Sequence, residues 1–272
     1  MGISLRHHVL SLVAIFLMLL VGLLVGVGLS SQPELTARIR DLTQEFEKLM
    51  TEIAGLRKDA AAQERFAQAA LPDLVSHKLA GRQIVLIVTA RPPNNRVSSD
   101  VTQALEAAGA QVPYRVVLRT DFAERAAGAQ AVSADACDRE TRRLAEAVAK
   151  ADEKGLRELE RLRLIHLEGR PSGKPPAGVV VLGGGNQAPE EAVKGIDRAL
   201  IEALLAAGVG AVVGCEPRNV VSNTDTYRDL EASTVDNVDL VRGRASLVLA
   251  LSGKPGHYGD GPSAEQEFAP LE

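Results

Sequence analysis

The sequence predicts an α/β protein: a single N-terminal transmembrane helix, a coiled-coil stalk, and a Rossmann-like head built on an open parallel sheet. Three observations predict it. Residues 9–29 are apolar apart from Ser11, a 4-3-4-3-4-3 apolar spacing follows, and β-branched runs then alternate with amphipathic stretches from Gln83 onward. At about 150 residues per domain the length allows one or two domains with a real core. The 35 acidic and 31 basic side chains leave a net charge of −4 without a basic cluster, so nucleic acid is not an expected partner. Aromatic residues make up 3% of the chain and there is no Trp, which argues against an outer-membrane barrel with aromatic girdles. Two cysteines supply neither a disulfide scaffold nor a Cys-only zinc site.

Residues 1–8 form a short tail before the span at 9–29. The apolar run is roughly 31 Å long as a helix, the thickness of a bilayer core, so the lipid bilayer is an expected partner. A cleavable signal peptide is the rival reading, with Arg6 as its charged region. Its apolar core would be about 7–15 residues, and no A-x-A-like site follows here. Arg6 precedes the span and Arg38 and Arg40 follow it, so charge bias alone leaves orientation near a tie. Gly22 and Gly26 form a GxxxG pair at which two helices could pack closely.

A stalk is expected over 33–70. Leu35, Ile39, Leu42, Phe46, Leu49, Ile53 and Leu56 form an a/d seam of period 3.5, with Ile39, Phe46 and Ile53 at a. Glu52 falls at g and Arg57 at the following e, a pair that a parallel homodimer would satisfy. The alternative is a solvated spacer helix. A short helix over 71–81, opening on Pro72 and stopping at Gly81, would form an elbow.

The head is expected over 82–258. Residues 83–90 read as a strand buried on both faces. A helix capped by Ser98 or Ser99 follows and stops at Gly109. Strands are expected at 112–119, 178–182 and 209–213, with a helix over 189–207 between the last two. Two β-α-β units imply parallel, right-handed crossovers and helices on both sheet faces. Between them, 121–177 reads as a largely solvated helical excursion, with apolar positions at Leu144, Val148, Leu156, Leu159, Leu162 and Ile165. A helix opens near Ser233 and runs to Ser252, and 259–272 is a flexible tail.

Candidate binding residues fall in two groups. Gly183, Gly184, Gly185 and Asn186 lie between a strand and a helix and fit G-x-G-x-x-A through Ala188, with Glu216 closing the next strand. Pro189, Glu190 and Glu191 occupy the helix start that a pyrophosphate would need, which argues against a dinucleotide, and a tight turn explains the glycines without any ligand. Thr224, Asp225, Thr234, Asp236 and Asn237 form a second polar group at the expected carboxyl edge of the sheet, readable as a ligand site or as helix caps. His7, His8, His77, His166, His257, Cys137 and Cys215 are scattered, and only His7-His8 are adjacent, so no metal site is assigned. No catalytic constellation and no cofactor follow from spacing; the chain does not read as an enzyme.

The opening ISLRHHVLSLVAIFLMLLVGLLVGVGL, the heptad stalk, and the C-terminal VSNTD, STVDNVDLVRGRASLVLAL and GHYG together resemble the mycobacterial copper-transport outer-membrane protein family (MctB-like). That family is also known among actinobacterial envelope proteins tied to cell division. The resemblance implies copper transport and homeostasis at the envelope, a cytoplasmic N-terminus and an extracytoplasmic head. Copper enters by this resemblance alone. A pore requires several spanning helices or a closed barrel, and the residues read here supply one helix. The head is therefore expected to bind an envelope partner or a ligand rather than conduct an ion.

Overall fold

The computed structural model describes the backbone of residues 5–89, 96–127, 134–185 and 191–271, and their side chains except at 5–10, 24, 27–36, 127, 134–136 and 191–194. The chain divides into two compact units, 1–63 and 64–272.

The first unit lies in α1, which runs Leu5–Val75. Within it Leu12, Ile15, Phe16, Leu17, Met18, Leu19, Leu20 and Leu23 are all exposed, and Gly22 and Gly26 have open space beside them. Among the described residues no helix is long and apolar enough to cross a membrane. Val9, Leu10, Leu24, Val27, Gly28 and Leu29 of the expected span lie outside the described side chains. Ile39, Leu42, Phe46, Leu49, Ile53 and Leu56 are 41–65% exposed, and Leu35 lies outside the described side chains.

The second unit carries a seven-stranded sheet in the order β3-β2-β1-β4-β5-β6-β7. Its strands are β1 (Ile84–Val88), β2 (Tyr114–Leu118), β3 (Ile165–Gly169), β4 (Gly178–Leu182), β5 (Val212–Cys215), β6 (Ser233–Val235) and β7 (His257–Tyr258). All neighbours pair in parallel except β2 with β3. The two expected crossovers are present as β1-α2-β2 and β4-α6-β5, with α2 at Arg96–Ala107 and α6 at Glu191–Ala206.

Strand alternation builds two cores. Ile84, Leu86, Val88, Val180, Leu182, Val213 and Val235 face α2, α8 (Val241–Leu251) and the last turns of α1. Val85, Ile87, Val116, Val179 and Val181 face α6 and α4 (Ala134–Ala149). Cys215 belongs to the first core and Cys137 to the second; both are free thiols.

Several expectations change. The excursion is not mainly solvated: α3 (Phe122–Ala127), α4 and α5 (Glu153–Arg161) bury Leu144, Val148, Leu156 and Leu159 completely, and the segment contributes β3 as an edge strand. Leu162, read as part of that stripe, is 51% exposed because α5 has already ended. Ser233 opens a strand, not a helix; α8 starts at Val241, where the Glu64 carboxylate accepts the Val241 N–H at 2.8 Å. The separate elbow helix is absent: α1 continues through Pro72, held by the burial of Leu71 and Val75, and the chain turns at His77 with φ 60°.

Residues 64–70, read as stalk, belong to the head unit. Arg244 is nearly buried and donates through Nη2 to Gln68 Oε1 at 2.5 Å and through Nη1 to the Asp239 carbonyl at 3.1 Å. Glu64 and Asp100 carboxylates stand 3.7 and 3.8 Å from its guanidinium. Beyond Gly259, where a flexible tail was expected, Glu265 N donates to His257 O at 2.8 Å and Ala269 N to Ser246 Oγ at 3.0 Å.

Candidate functional site

Open α/β sheets present ligands at the carboxyl ends of their strands, and the polar residues singled out above sit at that end of β4, β5 and β6. Gly183 N donates to Cys215 O at 2.9 Å, which draws the turn after β4 against the end of β5. A Cβ on Gly183 would collide with Tyr227 Oη and would stand 3.2 Å from Asp197 Oδ2. Gly184 has φ +81°, and its Cβ would meet Val220 at 2.7 Å. The close approach of these side chains thus accounts for both glycines. Gly185 is the last described residue of the turn; Asn186 lies outside the described residues.

Behind Gly183 lies a buried acidic cluster whose hydrogen bonds include no basic partner among the described residues. Asp197, on α6, accepts from Tyr227 Oη at 2.5 Å and from Asn223 Nδ2 at 3.2 Å, both on Oδ2. Glu216 accepts the Asn223 backbone N–H on Oε1 at 2.7 Å, while its buried Oε2 has no hydrogen-bond partner among the described residues. Burial raises the Asp197 pKa and pushes Glu216 up to about 7, with the Asp197 and Asp236 charges acting in the same direction on Glu216. Burial and the Asp197 and Glu216 carboxyls hold the Tyr227 phenol well above its ordinary range. Asn223 therefore straddles both acids, its main chain on one and its side chain on the other. The arrangement can hold protons near neutrality and fix the segment that leads into α7 (Thr224–Arg228).

The second polar group forms a clasp around β7. Asp236 accepts the N–H of Asp260 on Oδ1 and that of Gly261 on Oδ2, each at 2.7 Å. Gly259, at φ +145°, leaves the room that this carboxylate fills. Thr234 Oγ1 meets His257 Nδ1 at 3.1 Å, and fully buried Asn237 reaches Asp260 Oδ2 through Nδ2 at 3.4 Å. Thr224 bonds to Ser222 and to Ser263, both at 2.7 Å, whereas Asp225 stays exposed in the first turn of α7. The structure thus joins Gly183 to Glu216 and Asn223, and Thr234, Asp236 and Asn237 to the 257–261 turn.

Asp197, Tyr227 and Ser263 were not singled out from sequence. Asp197 carried a readable signal, as the one acid beside Ile196 on the apolar stripe of α6.

The soft donors do not converge. Burial pushes the Cys215 and Cys137 thiols up, away from the thiolate form that a soft metal takes. His257 is engaged with Thr234, and burial lowers its pKa. Among the described residues no group of three His, Cys, Asp or Glu could hold a metal ion; His7 and His8 lie outside the described side chains.

A long N-terminal helix, a mostly parallel seven-stranded sheet and a clasped carboxyl edge define a class of α/β protein. The family model described as copper transport outer membrane protein, MctB, matches residues 2–269, and the chain belongs to that family. It is similar to the copper transporter MctB of Mycobacterium bovis, with 26% identity over 308 aligned residues covering 96% of this chain and 98% of the relative. The same figures hold for the copper transporter MctB of two Mycobacterium tuberculosis strains.

Proposed function

We propose that this chain is a single-pass envelope protein that serves copper homeostasis, with its N-terminus in the cytoplasm and its head outside it. The observation that carries the reading is the family match from residue 2 to residue 269, which takes in the apolar segment as well as the sheet. Copper is the cargo in this reading, not a resident cofactor. The test is the copper content of cells lacking the protein, measured by mass spectrometry under copper load. The reading expects at least a twofold rise, reversed by the full chain and not by one lacking residues 1–31. Unchanged copper content would overturn it.

A second reading is favoured by the apolar stripe of α1. Ile39, Leu42, Phe46, Leu49, Ile53 and Leu56 are each at least 41% exposed, an uncovered seam of the kind that a second helix covers. In this reading the chain is a parallel homodimer that recruits an envelope or cell-division partner and transports nothing itself. Ile39→Asp with Phe46→Asp then abolishes self-association and partner capture together while the head stays folded. A doubly substituted chain that still associates would count against it.

A further inference from the structure

The sheet ends in two edges, β3 and β7, and the two are treated differently. At β7 the chain covers its own edge: Gly259 N donates to Gln266 O at 2.9 Å and Glu265 N to His257 O at 2.8 Å. At β3, among the described residues, β2 is the only strand partner. Arg119 N donates to Leu164 O and Arg170 N to Pro113 O. Even-numbered positions of β3 therefore bond inward, and antiparallel alternation turns the N–H and C=O groups of Ile165, Leu167 and Gly169 outward.

A side chain occupies the middle of that row. Glu160, on α5, accepts the Leu167 N–H on Oε1 at 3.0 Å, and Arg157 Nη1 holds its other oxygen at 2.9 Å. The Leu167 bond is the main cause keeping the Glu160 carboxyl below its ordinary range. A carboxylate seated on an outward N–H takes the place that an added strand would use.

We infer that the β3 edge is a latent strand-pairing surface for a second copy of this chain, held closed by Glu160. The strand is complementary to itself. Antiparallel pairing about Leu167 opposes the three outward residues in hydrogen-bonding register and sets His166 beside the partner's Glu168. His166, 65% exposed, now lies 3.5 Å from Glu160 Oε1, and Glu168, 37% exposed, pairs with Arg115, so the cross-strand pair forms by exchange of these surface contacts. Removing Glu160 frees the central donor and opens the edge.

The experiment is a disulfide trap in the full chain. Cysteines are placed at the facing pair with His166→Cys and Glu168→Cys, and interchain dimer is read on non-reducing gels after mild oxidation. With Glu160→Ala added, crosslinked dimer should rise at least tenfold over the Glu160 background. Glu160→Gln keeps an oxygen acceptor and should stay near the background. Glu160→Ser serves as a second removal if the alanine variant fails to fold. Equal yield with and without Glu160, or no dimer in either removal variant, overturns the inference.

Discussion

Glu216 shows how a single residue changes character between the chain and the fold. Its carboxyl has an ordinary value of 4.5 and is pushed up to about 7 by burial, with Asp197 and Asp236 adding to the effect. Because the folded-state value lies above the unfolded one, this stabilisation is complete below about pH 4.5 and lost as pH rises through 7. The effect is on the order of 3 kcal/mol. Thermal melts between pH 4.5 and 8 should show stability falling with pH, and Glu216→Gln should flatten the slope. Gly183 makes a second prediction at this scale. A methyl group there displaces Tyr227 from Asp197, so Gly183→Ala should cost about 2 kcal/mol in a denaturant titration. The glycine turn was legible in the sequence because its conformational demand is local. The reason for it was not, since Tyr227 and Asp197 arrive from 30 residues apart along the chain.

At the scale of elements, β1, β2, β4 and β5 were readable from β-branched runs, and their parallel crossovers followed from the intervening helices. β6 was not, because Ser233 and Thr234 read as helix caps when Gly256 and His257, which bond to them, are out of view. β3 was hidden by the apolar spacing of Leu156, Leu159 and Leu162, which continues the helical period past the end of α5. The seam of the stalk likewise ran on into residues that the head claims. Glu64 caps α8, Gln68 meets Arg244, and Leu71 and Val75 enter the first core. A chain starting at residue 60 should melt cooperatively, and one starting at residue 76 should not, as circular dichroism would show. Arg244→Ala removes the hub of this contact and should cost about 3 kcal/mol.

For the whole molecule, composition excluded a nucleic-acid partner as an expectation, and hydropathy located an apolar segment before a folded unit. Neither names a cargo. The family relation supplies copper, while the donors described in the head stay apart, Cys215 and Cys137 on opposite faces of the sheet and His257 tied to Thr234. The proposal therefore rests on the chain being held at a membrane by residues 9–29. Alkaline carbonate extraction of membranes from cells producing the full chain, beside a chain lacking residues 1–31, tests that most directly. The account predicts that the full chain stays with the pelleted membranes and the shortened one moves to the supernatant; a full-length chain released into the supernatant would contradict it.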